Sequence, residues 1–211
     1  MIRFFRNIRQ SLLTENKLSK YLLYAIGEIF LVFIGIFMAL QFNNWNEEKK
    51  IQKNITTTLN LLKDEINTNK KSISNVKDYH IMIRDTLRKI EMPKTEEDIS
   101  KSLGFWQGMR TPRLRDAAFQ TSIQAGVSKE FNPSLLNTLN NLYTYQESYN
   151  EFTSQSTQIF FNADFTDANS FGKTMAKVQM TMNDLNYYEK ELTELYDYNL
   201  KKIDSIYPSK Y

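Results

Sequence analysis

The chain has 211 residues, 41% hydrophobic and 24% charged, with a formal net charge of +3, one histidine and no cysteine. Without thiols, disulfides, thiolate metal sites and cysteine nucleophiles are excluded, and the fold must stand on its core alone. The small positive balance sits largely in the N-terminal flank and gives no reason to expect nucleic acid as a partner.

Residues 1–20 carry Arg3, Arg6, Arg9, Lys17 and Lys20 against Glu15. Within them, Ile2–Leu13 alternates Phe4, Phe5, Ile8 and Leu12 with arginines. That pattern suits an anionic membrane surface, and it suits a frayed polar tail equally well.

Tyr21–Phe42 contains no Lys or Arg and one carboxylate, Glu28. As a helix it is about 33 Å long, enough to cross a hydrocarbon core of about 30 Å. Its Leu, Ile, Phe and Val residues favour insertion by roughly 4 to 8 kcal/mol, against about 2.5 to 3.5 kcal/mol for one carboxylate. The run is longer than a signal-peptide core, and no small-residue cleavage site follows it, so an uncleaved anchor is expected over a cleaved signal. The basic flank before it outweighs Lys49, Lys50 and Lys53 after it. Positive charge stays in the cytoplasm, which predicts a span with residues 1–20 inside and 43–211 outside.

Asn43-Asn44-Trp45-Asn46 follows as an interface, with Trp45 as its belt residue. From Leu59 the apolar residues recur at alternating steps of three and four: Leu59, Leu62, Ile66, Asn69, Ile73, Val76, His80, Ile83, Leu87, Ile90. This is the spacing of coiled-coil-like packing. It predicts one long helix from about Asn46 to Glu91, ended by Met92-Pro93. Thr95-Glu96-Glu97-Asp98 predicts a capped helix start and Gly104 a stop. Thr111-Pro112 predicts a second start, its helix running through Phe119 and Ile123 to Gly126. Asn132-Pro133 predicts a third, carrying Leu135, Leu139, Leu142, Tyr145, Tyr149 and Phe152 up to an Asp164–Gly172 turn cluster. A last helix carries Leu185, Tyr188, Leu192, Leu195, Ile203 and Ile206, closed by Pro208. The late helices are expected to pack back on the first through Leu142, Tyr149, Leu192 and Leu195. The fold class is therefore all-α: one transmembrane helix followed by a helical bundle with a long first helix.

Ser19-Lys20-Tyr21-Leu22-Leu23-Tyr24-Ala25-Ile26-Gly27-Glu28, then an apolar run and Gln41-Phe42-Asn43-Asn44-Trp45-Asn46-Glu47, resembles a family of small single-pass membrane proteins. The family is common in Bacteroidetes-type bacteria and is known as a domain of unknown function. Asp116–Gly126 is similar to its second recurring stretch. The resemblance covers the N-terminal quarter well and the middle loosely. It implies an inner-membrane anchor with a periplasmic domain and assigns no activity.

Several residues break the apolar pattern. At 100° per residue, Tyr21, Glu28, Val32, Gly35 and Ala39 share one face of the span, opposite Ile26, Phe30, Phe33 and Phe37. Intramembrane carboxylates usually face protein or water. Small residues four apart let a second helix come close. Glu28, Gly35 and Ala39 are thus candidate helix–helix contacts, set against a Glu28 that is protonated or snorkels without a role. His80 in the seam lacks an acid or nucleophile at a recognisable spacing, so it and Asn69 read as polar register residues. Arg110, Arg113 and Arg115 sit at the expected helix start and are a candidate anion contact; ion pairing to Glu96, Glu97 and Asp98 is the plainer alternative. Tyr143, Tyr145, Tyr149, Tyr187, Tyr188, Tyr196 and Tyr198 crowd the late helices, as packing between antiparallel helices or as a stacking surface for glycan or peptide.

No catalytic motif, metal-ligand set or nucleotide loop is apparent, and no cofactor is expected. The sequence favours a membrane-anchored interaction or scaffold protein, homo-oligomeric or bound to another envelope protein as well as to the lipid bilayer. The rivals are a periplasmic ligand-binding or sensor-type helical domain, which the short cytoplasmic segment disfavours, and an envelope enzyme, which the missing motifs disfavour.

Overall fold

A computed structural model describes residues 18–91, 95–163 and 168–208. The Ile2–Leu13 stretch and the Met92-Pro93 stop lie outside those residues. The architecture is all-helical, without a strand among the described residues: α1 Leu18–Leu87, α2 Glu96–Ser102, α3 Ala117–Gln124, a short 3-10 turn Val127–Glu130, α4 Pro133–Phe161 and α5 Ala168–Ile206. The chain divides into two units, Met1–Lys53 and Asn54–Tyr211.

α1 is a single helix of 70 residues, so the apolar stretch and the first bundle helix are one element, a point the sequence leaves open. No Gly or Pro interrupts residues 36–87, and Lys49 Nζ lies 3.5 Å from the Trp45 ring centroid, one turn further on. In the first unit, Leu22, Leu23, Ile29, Phe33, Phe37 and Phe42 are each more than half exposed. None of its most apolar window is buried, so this helix is long and apolar enough to cross a membrane.

The second unit is built on three seams. The buried residues of α1 are Ile55, Leu59, Leu62, Ile66, Asn69, Ile73, His80, Ile83 and Leu87, with Glu65 beside them. Those of α4 include Leu135, Leu139, Leu142, Gln146, Tyr149, Thr153 and Ser156. Those of α5 are Phe171, Met175, Val178, Met182, Leu185, Glu189, Leu192, Tyr196, Asn199 and Ile203. The α4 and α5 sets advance by three and four, and so does that of α1 once half-buried Val76 is counted between Ile73 and His80, so each helix turns one narrow face inward, as knobs-into-holes packing requires. Burying each Leu or Ile in this seam contributes roughly 1.5 to 3 kcal/mol.

Direction follows from the cross-contacts. Tyr143 meets Glu65 and Gln146 meets Asn69, so α4 runs parallel to α1. Lys63 meets Asp204, Lys70 meets Asp197 and His80 meets Glu189, so α5 runs antiparallel. A tight turn cannot join two parallel helices. The connection from Arg88 to Asn132 therefore has to travel back along the bundle.

Most predicted elements stand, with three corrections. α1 ends at Leu87, short of Glu91, where Lys89 N–H already bonds to the Thr86 carbonyl in a tightened last turn. The Asp164–Gly172 cluster is helical from Ala168, because Phe171, 1% exposed, already belongs to the α5 seam. Thr111-Pro112 starts no helix: Trp106–Asp116 has no regular secondary structure, and α3 begins at Ala117. The cap at Thr95 is present, its hydroxyl oxygen accepting from Asp98 N–H at 3.2 Å. Asn132 caps α4 through Ser134 N–H at 2.9 Å, with Pro133 in the first turn. Of the four residues expected to dock the late helices, Leu142, Tyr149 and Leu192 are fully buried and Leu195 sits at the edge.

Candidate functional site

Two regions hold the residues singled out by sequence, one in each unit. In the first, Glu28 is half-buried and Gly35 and Ala39 are exposed on α1. A Cβ built on Gly35 meets nothing within 4 Å, so the small face is open to approach.

In the second unit the polar residues of the three seams meet in layers. Asn69 Nδ2 donates to Gln146 Oε1 at 3.0 Å, and the Tyr196 hydroxyl donates to the same oxygen at 2.8 Å. Further along, His80 and Glu189 are both fully buried, with His80 Nδ1 and Glu189 Oε1 2.6 Å apart. His80 Nε2–H donates to the Met109 carbonyl at 2.7 Å. A carbonyl only accepts, so that nitrogen carries a proton. The second contact is met by imidazolium with carboxylate, or by neutral imidazole with carboxylic acid. The Tyr149 hydroxyl lies 3.5 Å from the same Glu189 oxygen, while Oε2 is buried with no hydrogen-bond partner among the described residues. Burial raises the Tyr149 phenol well above its ordinary range, and Glu189 beside it adds to the effect. Burial raises Tyr143 and Tyr196 in the same way, helped in each case by Glu65. All three phenols therefore stay protonated and act as donors.

These layers hold the irregular segment Trp106–Asp116, here called the strap. Asn69 Oδ1 accepts from Arg115 N–H at 2.9 Å, and its Nδ2 donates to the Arg115 carbonyl at 2.7 Å. Gln146 Nε2 donates to that carbonyl at 2.8 Å. Asn150 closes the same two-point contact on Leu114, at 3.2 and 3.3 Å. The Tyr79 hydroxyl accepts from Gln107 N–H and donates to the Gly108 carbonyl, both at 2.8 Å. Burial raises this phenol, outweighing the lowering by the Gln107 amide. Side chains of α1 and α4 thus satisfy backbone groups that a helix would have satisfied internally. That is why Thr111-Pro112 does not nucleate one. The strap also contains Arg110 at φ 51, the one non-glycine residue with positive φ among those described. A left-handed conformation costs an L-residue roughly 1 to 2 kcal/mol.

Of the three arginines only Arg115 lies at a helix N-terminus, directly before Asp116, the N-cap of α3. The Arg110 guanidinium sits 5.1 Å from the Tyr79 ring centroid, and Arg113 and Arg115 are exposed on the strap. The start of α3 is served by this chain's own carboxylate: Glu65 Oε2 accepts from Ala118 N–H at 2.8 Å, and Oε1 from the Tyr143 hydroxyl at 2.8 Å. The tyrosines divide, with Tyr143, Tyr149 and Tyr196 buried and Tyr187 and Tyr198 exposed. Tyr145 is pushed up to about 12, chiefly by burial. Among the described residues no cluster of three or more His, Cys, Asp or Glu is placed to hold a metal ion.

Sequence reasoning missed Glu65, Tyr79, Gln146, Asn150 and Glu189. For Gln146 and Glu189 a signal existed, since each falls on the three–four rhythm of its own helix. No family model, curated protein or solved structure matches the chain.

Proposed function

We propose that the chain is a membrane-anchored interaction or scaffold protein of the bacterial cell envelope, non-enzymatic, working as a homo-oligomer or with another envelope protein. Tyr21–Phe42 spans the inner membrane, with the N-terminus cytoplasmic and residues 43–211 periplasmic. The observation that carries the reading is the asymmetry of the span. Bulky Phe30, Phe33 and Phe37 suit lipid, while Glu28, Gly35 and Ala39 offer a small, polar face with room for a second backbone. The flank charges support the orientation.

Topology is checked by fusing a phosphatase or fluorescent protein after Tyr211. A periplasmic signal is expected, and a cytoplasmic one overturns the orientation. Association is checked by single cysteines placed along 21–42 of this cysteine-free chain. Crosslinks to a second copy or a partner are expected to peak at 28, 35 and 39. Gly35→Leu and Ala39→Leu should weaken association by about 1–2 kcal/mol, and Glu28→Gln by less, because the amide still hydrogen-bonds. A flat profile, or a peak at 30, 33 and 37, overturns the helix-contact reading.

A further inference from the structure

We propose that the channel between α1 and α4 is a binding site for an extended, arginine-bearing peptide segment of a partner protein, and that the strap Trp106–Asp116 is its resident occupant in cis. The strap is held as a bound peptide is held. Asn69 and Asn150 each take both the N–H and the carbonyl of one strap residue, Arg115 and Leu114 respectively. An amide that pairs with both groups of one residue recognises main chain in extended form, whatever the side chain. Selectivity comes from two apolar anchors five residues apart, Met109 and Leu114, which are 8% and 3% exposed.

Charge sets the ligand class. Arg113 lines a groove of about 800 Å³ together with Glu147 and Glu151 of α4. It also lines a neighbouring one of about 290 Å³ with Glu147 and Asn150. An acidic wall facing an arginine-bearing strap favours basic extended segments over acidic ones. The strap has no regular structure of its own, and Arg110 sits at φ 51, a strain that release relieves. Such a site adds a partner-binding surface in the bundle that does not depend on contacts through the span.

The test uses the full chain in mild detergent and a fluorescent peptide with the sequence of residues 106–117. The tethered strap competes at an effective concentration of about millimolar, so the wild-type chain should bind the peptide weakly. Leu114→Asp removes the buried anchor of the cis strap and should bind it roughly tenfold more tightly or better. A peptide with Asp in place of its leucine should not bind, and one with Glu in place of its arginines should bind about tenfold more weakly. A Leu114→Asp chain that keeps its helicity and cooperative melting but binds no better than wild type overturns the proposal. So does equal binding of the control peptides. Should that variant fail to fold, hydrogen exchange on the wild-type chain decides. The Leu114 and Arg115 amides are expected to exchange at least about tenfold faster than those of Leu62 and Ile66, by strap opening alone. Equal rates mean the strap opens only on global unfolding, which refutes an exchangeable occupant.

Discussion

Replacing His80 with alanine is expected to destabilise the second unit by about 3–5 kcal/mol, the scale of removing one partner from a fully buried, hydrogen-bonded acid–imidazole pair. The variant removes the nearest partner of buried Glu189 and leaves the Tyr149 hydroxyl, at 3.5 Å, as the one side-chain donor to its Oε1 among the described residues. It also strands the Met109 carbonyl, which His80 Nε2–H satisfies at 2.7 Å. Glu189→Gln should cost far less, about 1 kcal/mol, since the amide donates to Nδ1 of a neutral imidazole whose Nε2–H still serves Met109. Urea unfolding of the full chain in mild detergent, followed by far-ultraviolet circular dichroism, checks both. For a unit of this size the His80→Ala loss corresponds to a fall of roughly 6–20 °C in Tm. Equal losses in the two variants would mean that packing, and not the pairing, holds this layer.

The comparison matters because a buried acid–imidazole pair is weak support for stability in itself. Here it sits on two seams at once, one residue from α1 and one from α5, and points its second nitrogen at the strap. A one-turn slip of α5 against α1 would bring a residue such as Leu185 or Leu192 opposite His80, which offers it no acceptor. The Asn69–Gln146–Tyr196 layer penalises slippage of all three helices in the same manner. Polar seam residues of this kind trade stability for a single register.

Much of this architecture is legible in the sequence. The α1 seam from Leu59 to Leu87 can be followed at steps of three and four, and it includes Asn69 and His80 because the rhythm is strong enough to carry polar residues. In α5 the same rhythm is easy to misplace. Following the obvious apolar residues Leu185, Tyr188, Leu192 and Leu195 lands on the edge of the seam at Tyr188 and Leu195. Starting from Phe171, Met175, Val178 and Met182 leads instead to Glu189, Tyr196 and Asn199, which are the buried ones. The strap is not legible at all. Thr111-Pro112 carries a sound local start signal, but its fate depends on Asn69 and Asn150, which lie 46 and 36 residues from the strap residues they hold. Local propensity cannot register competition from so far along the chain.

Asn69→Asp is expected to be among the most damaging near-isosteric changes in the protein, at about 3 kcal/mol or more, and worse than Asn69→Ala. Asn69 is 1% exposed and makes three hydrogen bonds. Its oxygen accepts from Arg115 N–H, a role an aspartate keeps. Its nitrogen donates to the Arg115 carbonyl at 2.7 Å and to Gln146 Oε1 at 3.0 Å, and an aspartate puts a second acceptor oxygen there. Two attractive contacts become lone-pair repulsions, inside a layer where Tyr196 already donates to Gln146 and Glu65 lies one turn away on α1. Alanine leaves the Arg115 N–H without this partner, but the Arg115 carbonyl keeps Gln146 and Gln146 keeps Tyr196, so about 1–3 kcal/mol is expected. Size cannot account for this ordering, because aspartate fills the asparagine site and alanine does not. Unfolding midpoints of the two variants in the same detergent decide it. An aspartate variant as stable as wild type would show that the Asn69 side chain donates nothing in solution, and the clamp on the strap would lose its principal residue.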